Sequence, residues 1–510
     1  VTGPNLKATI VEAVWRVVDR LDYVRSATIA GSFSTGEGIE GIADIDTILI
    51  VDPLDAARFA QLEQDLRGEL EPVLATAGYR LRINPTLGPL KFNDPQTAVL
   101  HLMLYSEAAH REHVVCSPFT CLDWQRSALW RKARLMDVYP VFGLQPHHFL
   151  SARRGTKDYL ADLTGSVVTY RELQCDATGY QEVRREKSMT DRDRHEFAYH
   201  VMRFLMRNFL KLVQRTNEVE DGEGLLAAYF AVFPEGAEPF ARLFRELRRQ
   251  KTTGQFTFET AELTRQVTGF VEAFERQFRE AFETHATRHL VCRHAPTELN
   301  QPTGEGRIFQ GITDVELLPG VPENLDELVR AVEALEPKQV YSSPLRRAVG
   351  SLRLVAQRVA GLPAPSLDAR LLETNCGACE GLSVGEARRR FPDLFAAWQR
   401  REDPCFPDGG ENTEAVFQRT WAFVQERFTP RAGSSLTCTH NVVLRCLVGH
   451  LLGVPRQDWF RLRIPHLTPV TVLATERFGL FVDLDEDTER EIFAGFLKKG
   501  EIEKGRGIEN

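Results

Sequence analysis

Apolar residues change their spacing along this chain, and the changes mark out its elements. Val11, Val14, Trp15, Val18 and Leu21 recur at helical intervals, with Glu12, Arg16, Asp19 and Arg20 pointing elsewhere, so the spacing predicts an amphipathic helix. After Asp22 the interval shortens. Ala27-Thr-Ile-Ala30 reads as a strand, the small-residue turn Gly31-Ser32-Phe-Ser-Thr-Gly36 follows, and Ile42-Ala-Asp44-Ile-Asp46 leads into the apolar run Thr47-Ile-Leu-Ile-Val51. Ala98-Val-Leu-His101-Leu-Met-Leu-Tyr105 is a further candidate strand. From Ala109 to about Ala286 the period is mostly helical. Phe197, Val201, Phe204, Leu205, Phe209 and Leu212 form one stripe, and Leu263, Val267, Phe270, Phe274 and Phe278 form another, as the core of a helix bundle would.

A second α/β pattern opens at Leu290-Val-Cys292, a short apolar run that stops abruptly at Arg293-His294. A helix is predicted around Leu325 to Leu335. Val340-Tyr-Ser-Ser-Pro-Leu-Arg-Arg347-Ala reads as a strand end entering a helix, and the strand Ser435-Leu-Thr-Cys-Thr439 ends at His440. Ligands meet open α/β sheets at the ends of their strands, so Arg293-His294 and His440 are expected at a crevice. The pattern divides the chain into residues 1–110, 111–286 and 287–510.

Length and charge narrow the classes. A chain of 510 residues exceeds one ordinary domain. A formal charge of -8 gives no overall drive toward nucleic acid or an anionic membrane, so neither is an expected partner. No apolar segment approaches a membrane span, Val1 opens no secretory leader pattern, and a cytoplasmic location is expected. The nine Cys are scattered, with one CxxC spacing at Cys376 and Cys379, and a structural zinc site is not expected.

Chemistry enters first at the acidic strand. Side chains alternate along a strand, so Asp44 and Asp46 share a face with Ile45 between them. Two carboxylates so placed can hold a divalent cation against the phosphates of a nucleoside triphosphate. Surface carboxylates at a strand end are the plain alternative. Gly31-Ser32 followed by Asp44-x-Asp46, within the order helix, strand, turn, strand, resembles the nucleotidyltransferases of the DNA-polymerase-beta type. That resemblance covers about residues 1–110. It implies an α+β core, Mg²⁺ (or Mn²⁺ in its place) on Asp44 and Asp46, and transfer of a nucleotidyl group from a triphosphate lying against Gly31 and Ser32. The family usually has a third acidic residue on a neighbouring strand, where this chain offers His101; Asp94 lies before that strand. His101 is thus a candidate metal ligand, a base for the acceptor hydroxyl, or a structural histidine. Lys91 and Lys157 are candidate triphosphate contacts or ordinary solvated lysines. The helical middle is expected to close over the cleft and bind the acceptor.

The ordered blocks of the last part suit phosphate-ester cleavage. One imidazole attacks phosphorus, guanidinium groups and a second imidazole hold the oxygens, and an acid protonates the departing alkoxide. Arg293-His294-Ala-Pro-Thr297-x-x-Asn300, Ser342-Ser-Pro-Leu-Arg-Arg347-Ala and Thr439-His440 resemble the histidine phosphatase superfamily, also called phosphoglycerate-mutase-like, over about residues 288–485. Leu372-Glu373-Thr-Asn-Cys-Gly377-Ala-Cys379-Glu380-Gly381 and Cys438-Thr-His440-x-x-Val-Leu444-Arg-Cys446-Leu447 resemble its fructose-2,6-bisphosphatase branch. The resemblance implies an α/β sandwich with His294 as nucleophile, Arg293, Arg347 and His440 around the phosphoryl group, and Glu373 as general acid. Asn300, Arg307 and Thr297 would contact phosphate, Arg346 is an outside alternative to Arg347, and Glu380 and Glu411 would brace loops. Ala295 stands where Gly is customary. No GxxxxGK[ST] segment accompanies the block, so sugar-bisphosphate specificity does not follow.

The expected protein is an α/β multidomain, bifunctional enzyme: nucleotidyl transfer to a small-molecule acceptor, plus phosphomonoester hydrolysis that needs no cofactor. Nucleotidylation of a protein or RNA, and a phosphatase carrying a non-catalytic nucleotide-binding module, are the alternatives.

Overall fold

The computed structural model describes residues 4–35, 44–84, 86–87, 96–176, 179–301 and 304–496. Lys91 and Asp94 lie outside them, as do the side chains of Ser32 and Lys157. The chain forms two compact units. The first comprises Val1–Leu144 and His148–Glu275, the second Gln145–His147 and Arg276–Asn510.

The first unit is built on a sheet of β1 (Val24–Ala30), β2 (Asp44–Val51), β3 (Arg80–Asn84), β5 (Thr97–Tyr105) and β6 (Leu129–Lys132), in the order β3-β5-β2-β1-β6. Strand β1 is antiparallel to β2 and β6, whereas β5 runs parallel to β2 and β3. Helices α1 (Pro4–Arg20) and α3 (Ala56–Thr76) share a core with Ile45, Leu49, Leu100 and Leu102. Because Ile45 and Leu100 face these helices, alternation turns Asp44, Asp46 and His101 to the opposite face. Between β1 and β2 the Gly-Ser segment forms a short helix, α2 (Gly31–Thr35).

The division expected at 110 falls inside this unit, since β6 completes the sheet. That strand pairs with β1 over three positions and is largely exposed, so it carries no apolar period. Nor is the stretch from Ala109 helical throughout. β7 (Val167–Asp176) and β8 (Gly179–Ser188) form a hairpin that pairs with β4 (Thr86–Leu87), and Arg184, Arg185 and Lys187 lie on β8. The described side chains of β8 are mostly exposed, and a two-sided polar strand shows no hydrophobic alternation. The two expected stripes lie on the helices Asp191–Gln214 and Thr260–Arg279. Thr190 starts the former with a capping box against Asp193.

In the second unit the sheet order is β11-β10-β12-β9-β13-β14, with β9 (Ala286–Arg293), β10 (Gln339–Ser342), β11 (Ser366–Leu367), β12 (Ser435–Thr439), β13 (Val470–Thr475) and β14 (Gly479–Asp483). The first four strands of that order are parallel, and β13 is antiparallel to β9 and β14. Helices Leu325–Leu335 and Arg346–Ala356 pack on Leu290, Cys292, Val340, Leu436 and Cys438. Register does the rest. Arg293 pairs with Thr439, so His294 and His440, each one residue further on, leave the sheet side by side. Among the described residues, no helix is long and apolar enough to cross a membrane.

Candidate functional site

The second unit gathers its candidate residues at the ends of β9, β10 and β12. The His294 and His440 rings lie 5.1 Å apart between centroids, and both are buried. The His294 amide donates to Thr439 O at 3.0 Å. Its Nδ1 lies 2.7 Å from Ala295 O. A carbonyl only accepts, so this contact puts the ring proton on Nδ1 and leaves Nε2 with its lone pair. Burial, then the charges of His440, Arg293 and Arg347, hold His294 well below the ordinary histidine range, so the ring stays neutral. Burial and the same arginines do likewise for His440.

Arg347 is wholly buried and donates to three groups: Thr313 O at 2.7 Å, Gly311 O at 2.6 Å and His440 Nδ1 at 3.3 Å. The His440 Nε2–H is thereby left to Ser343 Oγ, 2.7 Å away. Its neighbour Arg346 is exposed and pairs with Asp314 and Glu316. Arg293 donates to Ile464 O at 3.0 Å. Burial lowers its pKa, while the Glu373 carboxylate opposes that effect. Glu373 is itself buried, with Oε1 accepting from Thr374 N at 3.0 Å and from Val442 N at 3.3 Å.

Loops between these groups are held by carboxylates. Glu380 accepts from Gly311 N (3.1 Å), Ile312 N (2.8 Å), Thr313 N (3.3 Å) and Cys376 N (3.0 Å). A Cβ at Gly311 would collide with Glu380 and with Thr374 O, which is why glycine stands there. Glu411 accepts from Asn375 N at 2.9 Å and pairs with Arg419, whose Nη2 donates to Glu373 O at 3.0 Å. Ala295, where a glycine was customary, is buried and is not among the residues with positive φ, so its methyl meets no backbone strain.

Two cavities meet here. A recess of about 50 Å³ is lined by His294, Glu373, Gln310 and Thr374. A chamber of about 540 Å³ is lined by Arg445, Arg463, His466, Thr297 and Glu491. Arg293, Asn300, Arg307 and Asn441 border both. Asn300 is fixed through Thr297 and Gln310: its Oδ1 accepts from Thr297 N at 2.9 Å and its Nδ2 donates to Gln310 Oε1 at 3.1 Å. Gln310, Asn441 and His466 were not anticipated. Adjacency to Gly311 and His440 was the one signal for the first two, and Arg-Ile-Pro-His466 resembles nothing used above. His466 Nδ1 lies 2.6 Å from His294 O, and burial, followed by the nearby Arg293 charge, pushes its pKa down to about 3.

In the first unit, His101 stands opposite Asp46 in the β2–β5 register, and its Nε2 is 3.5 Å from Asp44 Oδ1. Its Nδ1 lies 3.3 Å from Asn84 Nδ2. Gly31 has φ +72°, and a Cβ there would collide with the Asp46 carboxylate. Gly31, Asp44, Asp46 and His101 therefore converge, while the side chain of Ser32 lies outside the described residues. Among the described residues, no group of three or more His, Cys, Asp or Glu is arranged to hold a metal ion. Two carboxylates on one face still suit Mg²⁺, which is commonly held by one or two carboxylates together with substrate phosphates.

Parallel strands that deliver Arg-His and Thr-His to one crevice, with a buried Arg and Glu beside them, define the class of α/β phosphatases built around paired histidines. The family described as "Histidine phosphatase superfamily (branch 1)" matches residues 289–487. Glucosyl-3-phosphoglycerate phosphatase of Mycolicibacterium vanbaalenii is 30% identical over 181 residues, which are 34% of this chain and 77% of that protein. A 2,3-bisphosphoglycerate-dependent phosphoglycerate mutase of Nitratidesulfovibrio vulgaris is 31% identical, covering 35% of this chain and 82% of that protein. A 6-phosphofructo-2-kinase/fructose-2,6-bisphosphatase of Gallus gallus is 25% identical, covering 45% of this chain and 47% of that protein. The chain belongs to the histidine phosphatase superfamily through its C-terminal unit, and these likenesses support phosphatase activity there.

Proposed function

We propose that the chain is a bifunctional enzyme. Its C-terminal unit hydrolyses a phosphomonoester through a phosphohistidine, and its N-terminal unit transfers a nucleotidyl group from a nucleoside triphosphate to a small-molecule acceptor. The observation that carries the first half is the 2.7 Å contact of His294 Nδ1 with Ala295 O, beside His440 and Arg293, which leaves Nε2 to the phosphorus. His294 Nε2 forms the bond to phosphorus as the ester P–O bond breaks, and Glu373 gives its proton to the leaving alkoxide. Water then attacks, the P–N bond breaks, and the water proton passes to Glu373. Arg293, Arg347 and His440 hold the phosphoryl oxygens, with His440 exchanging Ser343 for one of them. Asn300, Arg307 and Thr297 border the phosphate.

For the N-terminal half the support is the convergence of Gly31, Asp44, Asp46 and His101 on one face of the sheet. Asp44 and Asp46 would hold Mg²⁺, or Mn²⁺, whose chemistry there is to neutralise triphosphate charge. Gly31 and Ser32 would lie against the nucleotide phosphates. His101 Nε2 lies 3.5 Å from Asp44 Oδ1, so His101 would serve as the third metal ligand or as the base for the acceptor hydroxyl. The two reactions would be consecutive steps on related metabolites.

The test uses full-length His294→Ala protein, so that phosphorylated products survive. It is incubated with each nucleoside triphosphate carrying an α-phosphate label, Mg²⁺ and a small-molecule extract of the source cells, beside an Asp44→Asn, His294→Ala control. A new species heavier by one nucleoside monophosphate, seen only without the Asp44 change, is the expected result. Label that stays with macromolecules after denaturation would move the reading to a protein or RNA acceptor. No label anywhere would reduce the N-terminal unit to a binding module.

A further inference from the structure

Ser351 belongs to none of the motifs above, yet it sits between the two groups that meet the phosphoryl. It is 1% exposed, on the helix Arg346–Ala356, one turn beyond Arg347. Its hydroxyl accepts from Ala295 N at 2.7 Å and donates to Arg347 O at 2.7 Å. On the other side of Ala295 stands Pro296, which has no N–H and confines the residue before it to extended backbone. Ala295 is therefore anchored through its N–H by Ser351 and stiffened through its carbonyl by proline. That carbonyl is the group facing His294 Nδ1.

We propose that Ser351 is a positioning residue for phosphoryl uptake: its hydroxyl fixes Ala295 so that Ala295 O keeps the His294 proton on Nδ1 and Nε2 open to phosphorus. This rests on His294 being the nucleophile. Without the hydroxyl, the buried Ala295 N–H loses its acceptor and the local backbone can turn. The ring proton is then free to exchange to Nε2, where it blocks attack. The chain of bonds also ties the nucleophile to Arg347, so phosphate binding and nucleophile orientation share one helix.

The test compares wild type with Ser351→Val, Ser351→Thr and Ser351→Cys in the full chain. Histidine ¹⁵N shifts report the tautomer of His294, assigned by its absence from His294→Asn, and stopped-flow bursts with p-nitrophenyl phosphate report phosphoenzyme formation. Wild type should show the Nδ1–H form. Ser351→Val should show the other tautomer with a burst slower by about 100-fold, the scale of a misplaced reacting group. Ser351→Thr should restore both, and Ser351→Cys, close in size and safest for folding, should fall between. An Nε2–H tautomer in wild type overturns the proposal whether or not any variant folds. So does a Ser351→Val or Ser351→Cys protein with wild-type tautomer, whether its burst is unchanged or slowed. Absence of any phosphoenzyme in wild type would instead remove the nucleophile reading itself, which the tautomer measurement does not decide.

Discussion

The carboxylate of Asp46 occupies the space that a side chain at Gly31 would need. Gly31 also has φ +72°, where an L-residue pays about 1–2 kcal/mol. Gly31→Ala should therefore push Asp46 aside and reduce the proposed nucleotidyl transfer by about 100-fold. Transfer of label from an α-labelled triphosphate, with phosphatase rate as the internal control, checks it. Full transfer by a folded Gly31→Ala protein would remove Asp46 from the site.

As the proposed general acid, Glu373 should separate leaving groups. An alkoxide needs its proton and an activated phenolate does not, so Glu373→Gln should slow hydrolysis of an alkyl phosphate by about 100-fold or more and leave p-nitrophenyl phosphate much less affected. Equal losses on both substrates would mean that Glu373 is not the acid. His294→Ala should form no acid-labile phosphoenzyme with either.

Arg347→Lys keeps the charge and loses the geometry. One ammonium cannot reach Thr313 O, Gly311 O and His440 Nδ1 together, so buried acceptors go unpaired. The expected outcome is a fall in kcat/KM by about 100-fold or more, with unfolding easier by about 2 kcal/mol. Urea denaturation followed by residual phosphatase activity measures the second effect. Arg346→Lys, at an exposed ion pair, should change neither by much.

Acid should weaken the C-terminal unit through His289. This ring is buried, stacks on Phe428 with centroids 4.4 Å apart, and is pushed down to about 4 by burial. Its folded value lies below the unfolded one, so the unfolded chain takes up the proton first. The contribution is complete above about pH 6.5 and is lost as pH falls toward 4, amounting to roughly 3 kcal/mol. Urea midpoints for activity loss should fall more steeply between pH 7 and 4.5 in wild type than in His289→Gln. Identical slopes would exclude His289 as the sensitive group.

The parallel strands of the C-terminal unit were legible because buried strands are apolar until they stop, and Arg293-His294 and Thr439-His440 stand where they stop. The acidic strand was legible by alternation, and Thr97–Tyr105 indeed lies beside it with His101 opposite Asp46. What escaped is instructive. β6 and the described side chains of β8 are mostly exposed, so no hydrophobic period announces them. Ser351 and His466 contact backbone atoms of residues 56 and 172 positions away. Such contacts exist only after the fold has closed, and no local spacing encodes them.

Arg347 holds the carbonyls of Gly311 and Thr313, and Glu380 holds the N–H groups of Gly311, Ile312 and Thr313. The Gly311–Ile312 peptide is thus clamped at both ends, its carbonyl on a buried cation and its N–H on an anion, like the dielectric of a charged capacitor. Each charge polarises the amides that the other grips, so the plates hold one another in place across the loop. Evolution could exchange neither plate alone at low cost, and drift at these two positions would have to be correlated.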